Sequence, residues 1–311
     1  MNAKHTPRPM RLGLIGIGDW GEHVAQAIEA EAGVALRGCF ARSVDKRSAF
    51  AARHGCIAYE SVSAMLADSA IEGVIIMTPN QAHREPVELA AAAGKHCLVT
   101  KPIATTIEDG RAMIAACRRA GVILTVGHQS RREPALRRLK TLLEAGALGE
   151  PVMVEANIST GRGLHIGPEQ WRWRREECPG GALIQLGIHH IDTLQHLLGP
   201  VAVVQALHRR SKAAAEIEDA TATLLEFESG IVGYVGSSYS VSQACWIKLY
   251  STQRVAHYDQ HLGLELSQDT WERGPAREHV APGMSLRWPI ATMREEVAEF
   301  GECIRTGKTP D

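Results

Sequence analysis

The sequence predicts a doubly wound α/β domain followed by a second domain built on an antiparallel or mixed sheet. Three observations carry this. Over the first 126 residues, short apolar runs alternate with alanine-rich stretches of helical length, the pattern of parallel strands joined by right-handed crossovers. A glycine-rich turn, Gly16 to Gly21, follows the first apolar run and opens the first helical stretch. Beyond residue 128 the alternation gives way to strand-length runs interrupted by one long helical stretch.

In the first part, buried strands are expected at 12–17, 34–40, 73–77, 96–99 and 122–126, and helices at 21–31, 45–53, 81–93 and 106–120. Gly94 and Gly121 stand where C-terminal caps belong. In the second part, a helix over 134–143 closes at Gly146 and Gly149. Strands follow at 152–159, 201–209, 220–227, 231–240 and 245–251. Glu228-Ser229-Gly230 reads as a hairpin turn. The long helix spans 181–198, and a last helix runs from near Pro289 to Arg305. The domains are expected at 1–127 and 128–311. The polar stretch 1–10 reads as a lead-in without a signal-peptide core.

Composition excludes several functions. The 311 residues are 45% hydrophobic and carry 34 basic against 35 acidic side chains, a formal charge of −1. That balance offers no electrostatic footprint for nucleic acid or for a membrane surface. No apolar run approaches the ~18 residues of a membrane span. Seven scattered cysteines without a CxxC pair read as reduced thiols in a cytoplasmic protein rather than a metal ribbon or redox motif.

Gly16-Ile17-Gly18-Asp19-Trp20-Gly21 is a G-x-G-x-x-G turn between a strand and a helix, the dinucleotide fingerprint of a Rossmann domain. Gly16 makes the tight turn, Gly18 lets a pyrophosphate approach the backbone, and Gly21 lets helix pack on strand. The helix N-terminus then faces the phosphates. The acidic residue that would hold a ribose 2′-hydroxyl is missing after the second strand. Ala41 stands in its place, followed by Arg42 and Ser43, which suit a 2′-phosphate and so NADP, with NAD the alternative. Ser43 also reads as the cap of the next helix.

Two further stretches carry a family likeness: Met77-Thr78-Pro79-Asn80-Gln81-Ala82-His83, and Ala91 to Pro102 ending in Thr100-Lys101-Pro102. Trp171-Arg172, the run Gly180 to Asp192, and Glu218-Asp219-Ala220 extend it. With the fingerprint, the chain resembles the glucose–fructose oxidoreductase / inositol dehydrogenase / MocA family, Gfo/Idh/MocA. The resemblance implies a Rossmann domain followed by an α+β domain with an open, mostly antiparallel sheet. It implies hydride transfer between NAD(P) and a sugar, polyol or related cyclic alcohol, in a homodimer or homotetramer. It also implies a further helix and strand beyond residue 311. Thr78, Pro79, Asn80 and His83 would serve the cofactor, as would Lys101. Trp171 and Arg172 would lie near the nicotinamide end. Two positions depart from the family: Thr100 replaces the glutamate before the lysine, and Gln185 replaces the aspartate four residues before the histidine, His189.

The same residues support this reading without the likeness. Lys101 follows a strand at the sheet edge where ligands bind in open α/β folds, and Pro102 holds its backbone extended. On the helix 181–198, Gln185, His189, Asp192 and His196 recur at i, i+4, i+7 and i+11, one polar face opposite an apolar one. His189 can exchange protons near neutrality. Lys101 and His189 are therefore the candidate acid–base pair, with Gln185 positioning the substrate, since an amide only hydrogen-bonds. Asp192 is expected to orient His189 or tie down the helix, and His190 to be structural. Adjacent histidines diverge on a helix, so no metal is expected. Two other functions remain open at this stage: glycoside cleavage with transient use of the cofactor, and NAD(P) binding without catalysis.

Overall fold

The computed structural model describes residues 8–270, 274–284 and 288–310. The part of the lead-in before Arg8 lies outside the described residues. The chain divides into two compact units: one runs to Gln129 and takes in the last helix from Trp288, the other begins at Ser130.

The first unit alternates as expected: β1 (Met10–Ile15), α1 (Asp19–Glu29), β2 (Val34–Phe40), α2 (Val44–His54), β3 (Ile57–Ala58), α3 (Val62–Ala67), β4 (Gly73–Ile76), α4 (Arg84–Ala92), β5 (His96–Thr100), α5 (Ile107–Ala120) and β6 (Leu124–Gly127). Every strand pair is parallel, in the order β3-β2-β1-β4-β5-β6. This is the doubly wound order, with its reversal beside β1. Helix starts are set by local chemistry: Ser43, Ser61 and Thr106 accept from the backbone N–H groups of Lys46, Ala64 and Asp109. Strand side chains alternate between two cores. Leu12, Leu14, Ile75 and Leu98 face one; Ile15, Val74, Ile76, Cys97 and Val99 face the other. The two-residue β3 and the short α3 were not anticipated, being too brief to show a period.

The second unit opens with α6 (Pro134–Glu144) and β7 (Pro151–Ser159). A π-helical turn over Leu183–Gly187 leads into α7 (Ile188–Leu198). Then come β8 (Val201–Arg209), β9 (Ala220–Phe227), β10 (Val232–Ser238), β11 (Ala244–Ser251), β12 (Val255–Asp259), β13 (Gly263–Thr270) and β14 (Gly274–Ala281). The sheet order is β14-β13-β12-β11-β7-β10-β9-β8. Only β7 and β10 run parallel; the other neighbours are antiparallel. The strands β12 to β14 were not foreseen. The hairpin turn before β10 is present, with Gly230 donating to the Phe227 carbonyl at 2.8 Å. Leu136, Leu139 and Leu142 of α6 and Leu194 of α7 pack on the inward residues of this sheet, among them Val154, Leu225 and Leu249.

The last helix, α8 (Trp288–Thr306), corrects the expected division at 128–311. Its Met293, Val297 and Phe300 complete the first unit's core beside Ile28 and Val34. Arg294 pairs with Glu31 at 3.1 Å, and Arg305 donates to the Gly33 carbonyl at 3.0 Å. An apolar helical stripe is legible in sequence, but the surface it covers is not. Among the described residues no helix is long and apolar enough to cross a membrane.

Glu133, just before α6, is 1% exposed and accepts from the Tyr258 hydroxyl. Burial pushes its carboxyl up from 4.5 to about 7, against the hydrogen bonds from Tyr258 and Ser130. A carboxyl raised in the folded state contributes stability that is whole below about pH 4.5 and is lost as pH rises through about 7. Glu133→Gln keeps the shape and removes the charge. The variant should therefore match wild type in acid and exceed its unfolding free energy by about 2–3 kcal/mol above about pH 8.5, as read by urea unfolding across pH.

Candidate functional site

In the first unit, the predicted cofactor residues lie in the loops that leave the carboxyl ends of four adjacent strands, β2, β1, β4 and β5. Gly16 has φ +94°, and a Cβ there would stand 2.6 Å from the Met77 carbonyl oxygen, so the turn admits no side chain. A Cβ on Gly21 would stand 2.5 Å from the Gly16 carbonyl, so helix and turn are in contact. At Gly18 the opposite holds: nothing lies within 4 Å of a Cβ. Gly18 also caps α1 without a side-chain hydrogen bond, leaving the helix N-terminus open. Ile17 and Trp20 pack against the first core, and Asp19 is exposed in the first turn. An open helix start above a glycine turn fits a dinucleotide pyrophosphate.

Beside it, Arg42 is exposed and makes no hydrogen bond or ion pair among the described residues. Ser43 does cap α2, accepting from Lys46 N–H at 3.3 Å, which leaves its hydroxyl hydrogen to donate. Arg47 donates to the Ala41 carbonyl at 3.2 Å and shapes this loop. One exposed guanidinium, one hydroxyl and one helix start thus stand together at the end of β2.

The loop after β4 holds Thr78, Pro79 and Asn80. Thr78 Oγ1 donates to the Ala82 carbonyl at 3.0 Å. Asn80 is 5% exposed, and its amide nitrogen has no hydrogen-bond partner. His83 is fully buried. Its Nε2 lies 3.0 Å from the Thr78 carbonyl, and its Nδ1 lies 3.0 Å from that of Pro102 and 3.3 Å from that of Ile103. Burial lowers its pKa, against the hydrogen bonds to these carbonyls. His83, expected as a cofactor contact, ties the Thr78 loop to the Lys101 loop. Lys101 follows β5 directly, half-buried, and the Lys101–Pro102 peptide is cis.

In the second unit, the helix expected over 181–198 is not one uniform α-helix. Gln185 sits inside the π turn, and His189 lies in the first turn of α7. The wider i→i+5 turn splits the apolar stripe. Ile184 packs with Cys178, Ile217 and Tyr239, whereas Ile191 and Leu194 join the large core. Gly181 begins this helix at φ +44°, against the Glu218 carbonyl, which also accepts from Ala182 N–H at 2.9 Å.

The structure brings Trp171, Arg172 and Gln185 together. The Arg172 guanidinium lies 4.3 Å over the Trp171 ring, and its Nε donates to Gln185 Oε1 at 3.4 Å. Asp192 takes a two-point bond from Arg131, 2.8 Å and 2.6 Å. This bond ties down the helix, one of the two roles expected for Asp192, and Arg131 is a residue the sequence did not reveal. His190 is buried, with Nε2 3.0 Å from the Asn157 carbonyl, and burial pushes it down to about 4; it is structural, as expected. Asp219 anchors the neighbouring loop. Burial would raise its carboxyl, but Ser240 Oγ and the N–H groups of Ala213, Lys212 and Ser211 hold it far below the usual range. No group of three metal-ligating side chains occurs among the described residues.

Comparison with known proteins matches residues 10–128 to a family model described as an oxidoreductase family with an NAD-binding Rossmann fold, and residues 136–256 to one for the GFO/IDH/MocA C-terminal domain. A 1,5-anhydro-D-fructose reductase of Ensifer adhaerens is 30% identical over 75% of this chain and 71% of its own length. A D-xylose 1-dehydrogenase [NADP(+)] of Haloarcula marismortui is 28% identical over 98% and 86%. The solved structure of an oxidoreductase from Desulfitobacterium hafniense is 32% identical, covers 98% of this chain and 90% of its own, and superposes with a TM-score of 0.91.

If His83 acts by joining two loops, His83→Ala leaves buried carbonyls unpaired. It should cost about 1–3 kcal/mol of stability in urea unfolding and weaken NADP binding in parallel. Weaker binding at unchanged stability would make it a direct contact instead.

Proposed function

Because the chain belongs to the Gfo/Idh/MocA oxidoreductases, we propose that it transfers a hydride between NADP and a hydroxyl or carbonyl carbon of a sugar, polyol or related cyclic alcohol. The observation that carries this is the set of four loops at adjacent strand ends, centred on a side-chain-free turn and an open helix start. When bound, the nicotinamide supplies or accepts the hydride. The residues Gly16 to Gly21 hold the pyrophosphate, and Thr78 to Asn80 border the nicotinamide half. Arg42 and Ser43 take the 2′-phosphate. A D-xylose dehydrogenase relative named for NADP supports this preference.

Removal of a hydride from a carbinol leaves a hydroxyl proton to be moved. Lys101 Nζ and the His189 ring are the groups assigned to that proton. Gln185 has no proton to exchange and orients the hydroxyl. The outward row of the second sheet carries Val203, Leu207, Leu224 and Val232, each at least 46% exposed. Such a patch suits self-association into a homodimer or homotetramer. The free thiols suit the reducing cytoplasm.

Calorimetric titration should find NADP bound more tightly than NAD, and Arg42→Ala should weaken NADP selectively. Tenfold tighter binding of NAD, about 1.4 kcal/mol, refutes the 2′-phosphate contact. On a verified substrate, Lys101→Met and His189→Ala should each lower kcat at least about a hundredfold at nearly unchanged cofactor affinity. Wild-type kcat in Lys101→Met moves the proton chemistry elsewhere.

A further inference from the structure

Helices α1 and α2 begin at Gly18 and Ser43, and one histidine ties the two helices together. His54 closes α2, and its side chain is 4% exposed. Its Nε2 lies 3.1 Å from Glu22 Oε1 and its Nδ1 lies 2.6 Å from Glu29 Oε1, both on α1. Glu22 also pairs with Arg53 at 3.3 Å and accepts from Gln26 Nε2 at 3.3 Å. The Phe50 ring packs on the imidazole, with the ring centres 4.4 Å apart.

Both ring nitrogens thus face carboxylate oxygens. A neutral imidazole has one N–H and one lone pair, so it donates to one carboxylate and sets its lone pair against the other. Only the imidazolium donates to both. Burial by itself would lower the ring's pKa, but the hydrogen bonds with Glu29 and Glu22 and the charges of both raise it above the ordinary 6.5. The last turn of α2, where the helix dipole is negative, also suits a cation. A further titratable neighbour is the Cys56 thiol, just beyond α2. Its hydrogen bond with Cys39 lowers its pKa against burial, and the His54 charge acts in the same direction.

Glu22 lies in the first turn of α1, and its N–H donates to the Gly18 carbonyl at 3.0 Å. It stands about 6 Å along the helix from the open start. With His54 charged, Glu22 and Glu29 are balanced by Arg53 and His54. With His54 neutral, one negative charge is left over near a helix start that would receive phosphates, and like charges repel.

We propose that His54 is a pH-released clamp between α1 and α2. Charged, it holds both carboxylates and favours dinucleotide binding; neutral, it gives up one carboxylate and weakens that binding. NADP, with its extra phosphate, loses more than NAD. The clamp's stabilisation is whole below about pH 6.5 and is lost as pH rises through the higher value of the folded state. The clamp belongs to the fold, and its effect on affinity rests on the reading of this unit as an NADP site.

The test pairs nuclear magnetic resonance of the histidine side chains with calorimetric titration of NADP+ and NAD+ at pH 6.5 and pH 9. The resonance lost in His54→Gln should show two protonated nitrogens at pH 7 and titrate above 6.5. Glu29→Gln, at an exposed position, should move that titration down. If His54→Gln does not fold, the shift in Glu29→Gln both assigns the resonance and tests the clamp. In wild type the affinity for NADP+ should fall at least about threefold from pH 6.5 to pH 9, and that for NAD+ by less. Each variant, checked for folding by circular dichroism, should flatten this change. A neutral His54 at pH 7, or a titration unmoved in Glu29→Gln, overturns the clamp. An equal fall of NADP+ affinity in wild type and in the folded variants overturns its effect on the cofactor and leaves the NADP site standing. A raised, Glu29-dependent titration with no binding of either dinucleotide keeps the clamp and overturns the NADP reading.

Discussion

The backbone of Gly16 touches the carbonyl of Met77, and a Cβ there would come within 2.6 Å of it. That approach sets the ends of β1 and β4 side by side. It turns the chain through φ +94° into α1 and leaves the helix start open above the turn. The other loops of the first unit are aligned to this point by the parallel ladder. Gly16 N–H takes the Phe40 carbonyl at 3.0 Å, and Met77 N–H takes that of Ile15 at 2.7 Å. A side chain at position 16 would therefore disturb three strand ends at once, not one turn.

Around this frame the protein buries several titratable groups and resolves each differently. Asp219 keeps its charge because main-chain and hydroxyl donors surround it. His83 and His190 are pushed toward the neutral form by burial, and their nitrogens meet carbonyl oxygens. Glu133 has fewer donors and is pushed up to about 7. The deciding factor is the number of hydrogen bonds available to the charged form against the cost of removing water. None of these groups is a free acid or base; each holds segments together. His83 joins the loops after β4 and β5, and Asp219 the segment at 211–213 to Ser240.

The first unit was legible because its signals are local. The apolar runs, the glycine turn and the capping residues all lie within a few positions of the structure they produce, and β2 matches its expected limits, as do β8 and β9 of the second unit. The departures have physical causes. In β12 and β13 the inward residues Ala256, Tyr258, Leu264 and Leu266 alternate with polar ones, but each run is too short to mark a strand by period alone. The π turn at Leu183–Gly187 adds a residue to one turn without any compositional mark. Asp192 is held by Arg131, 61 positions away, and no periodicity reports such a pair.

By itself, the sequence determined the alternation of elements, the dinucleotide turn, the loss of the ribose carboxylate at Ala41 and the absence of charge at Thr100 and Gln185, because these are properties of residues and their near neighbours. Tertiary structure decided the rest. It placed α8 with the first unit, made His83 a tie between loops, and paired Arg175 with Glu218. Those outcomes depend on which distant surface meets which. A burial or a charge pair is a relation between segments, and the side chain's identity states only what it is able to do once that relation exists.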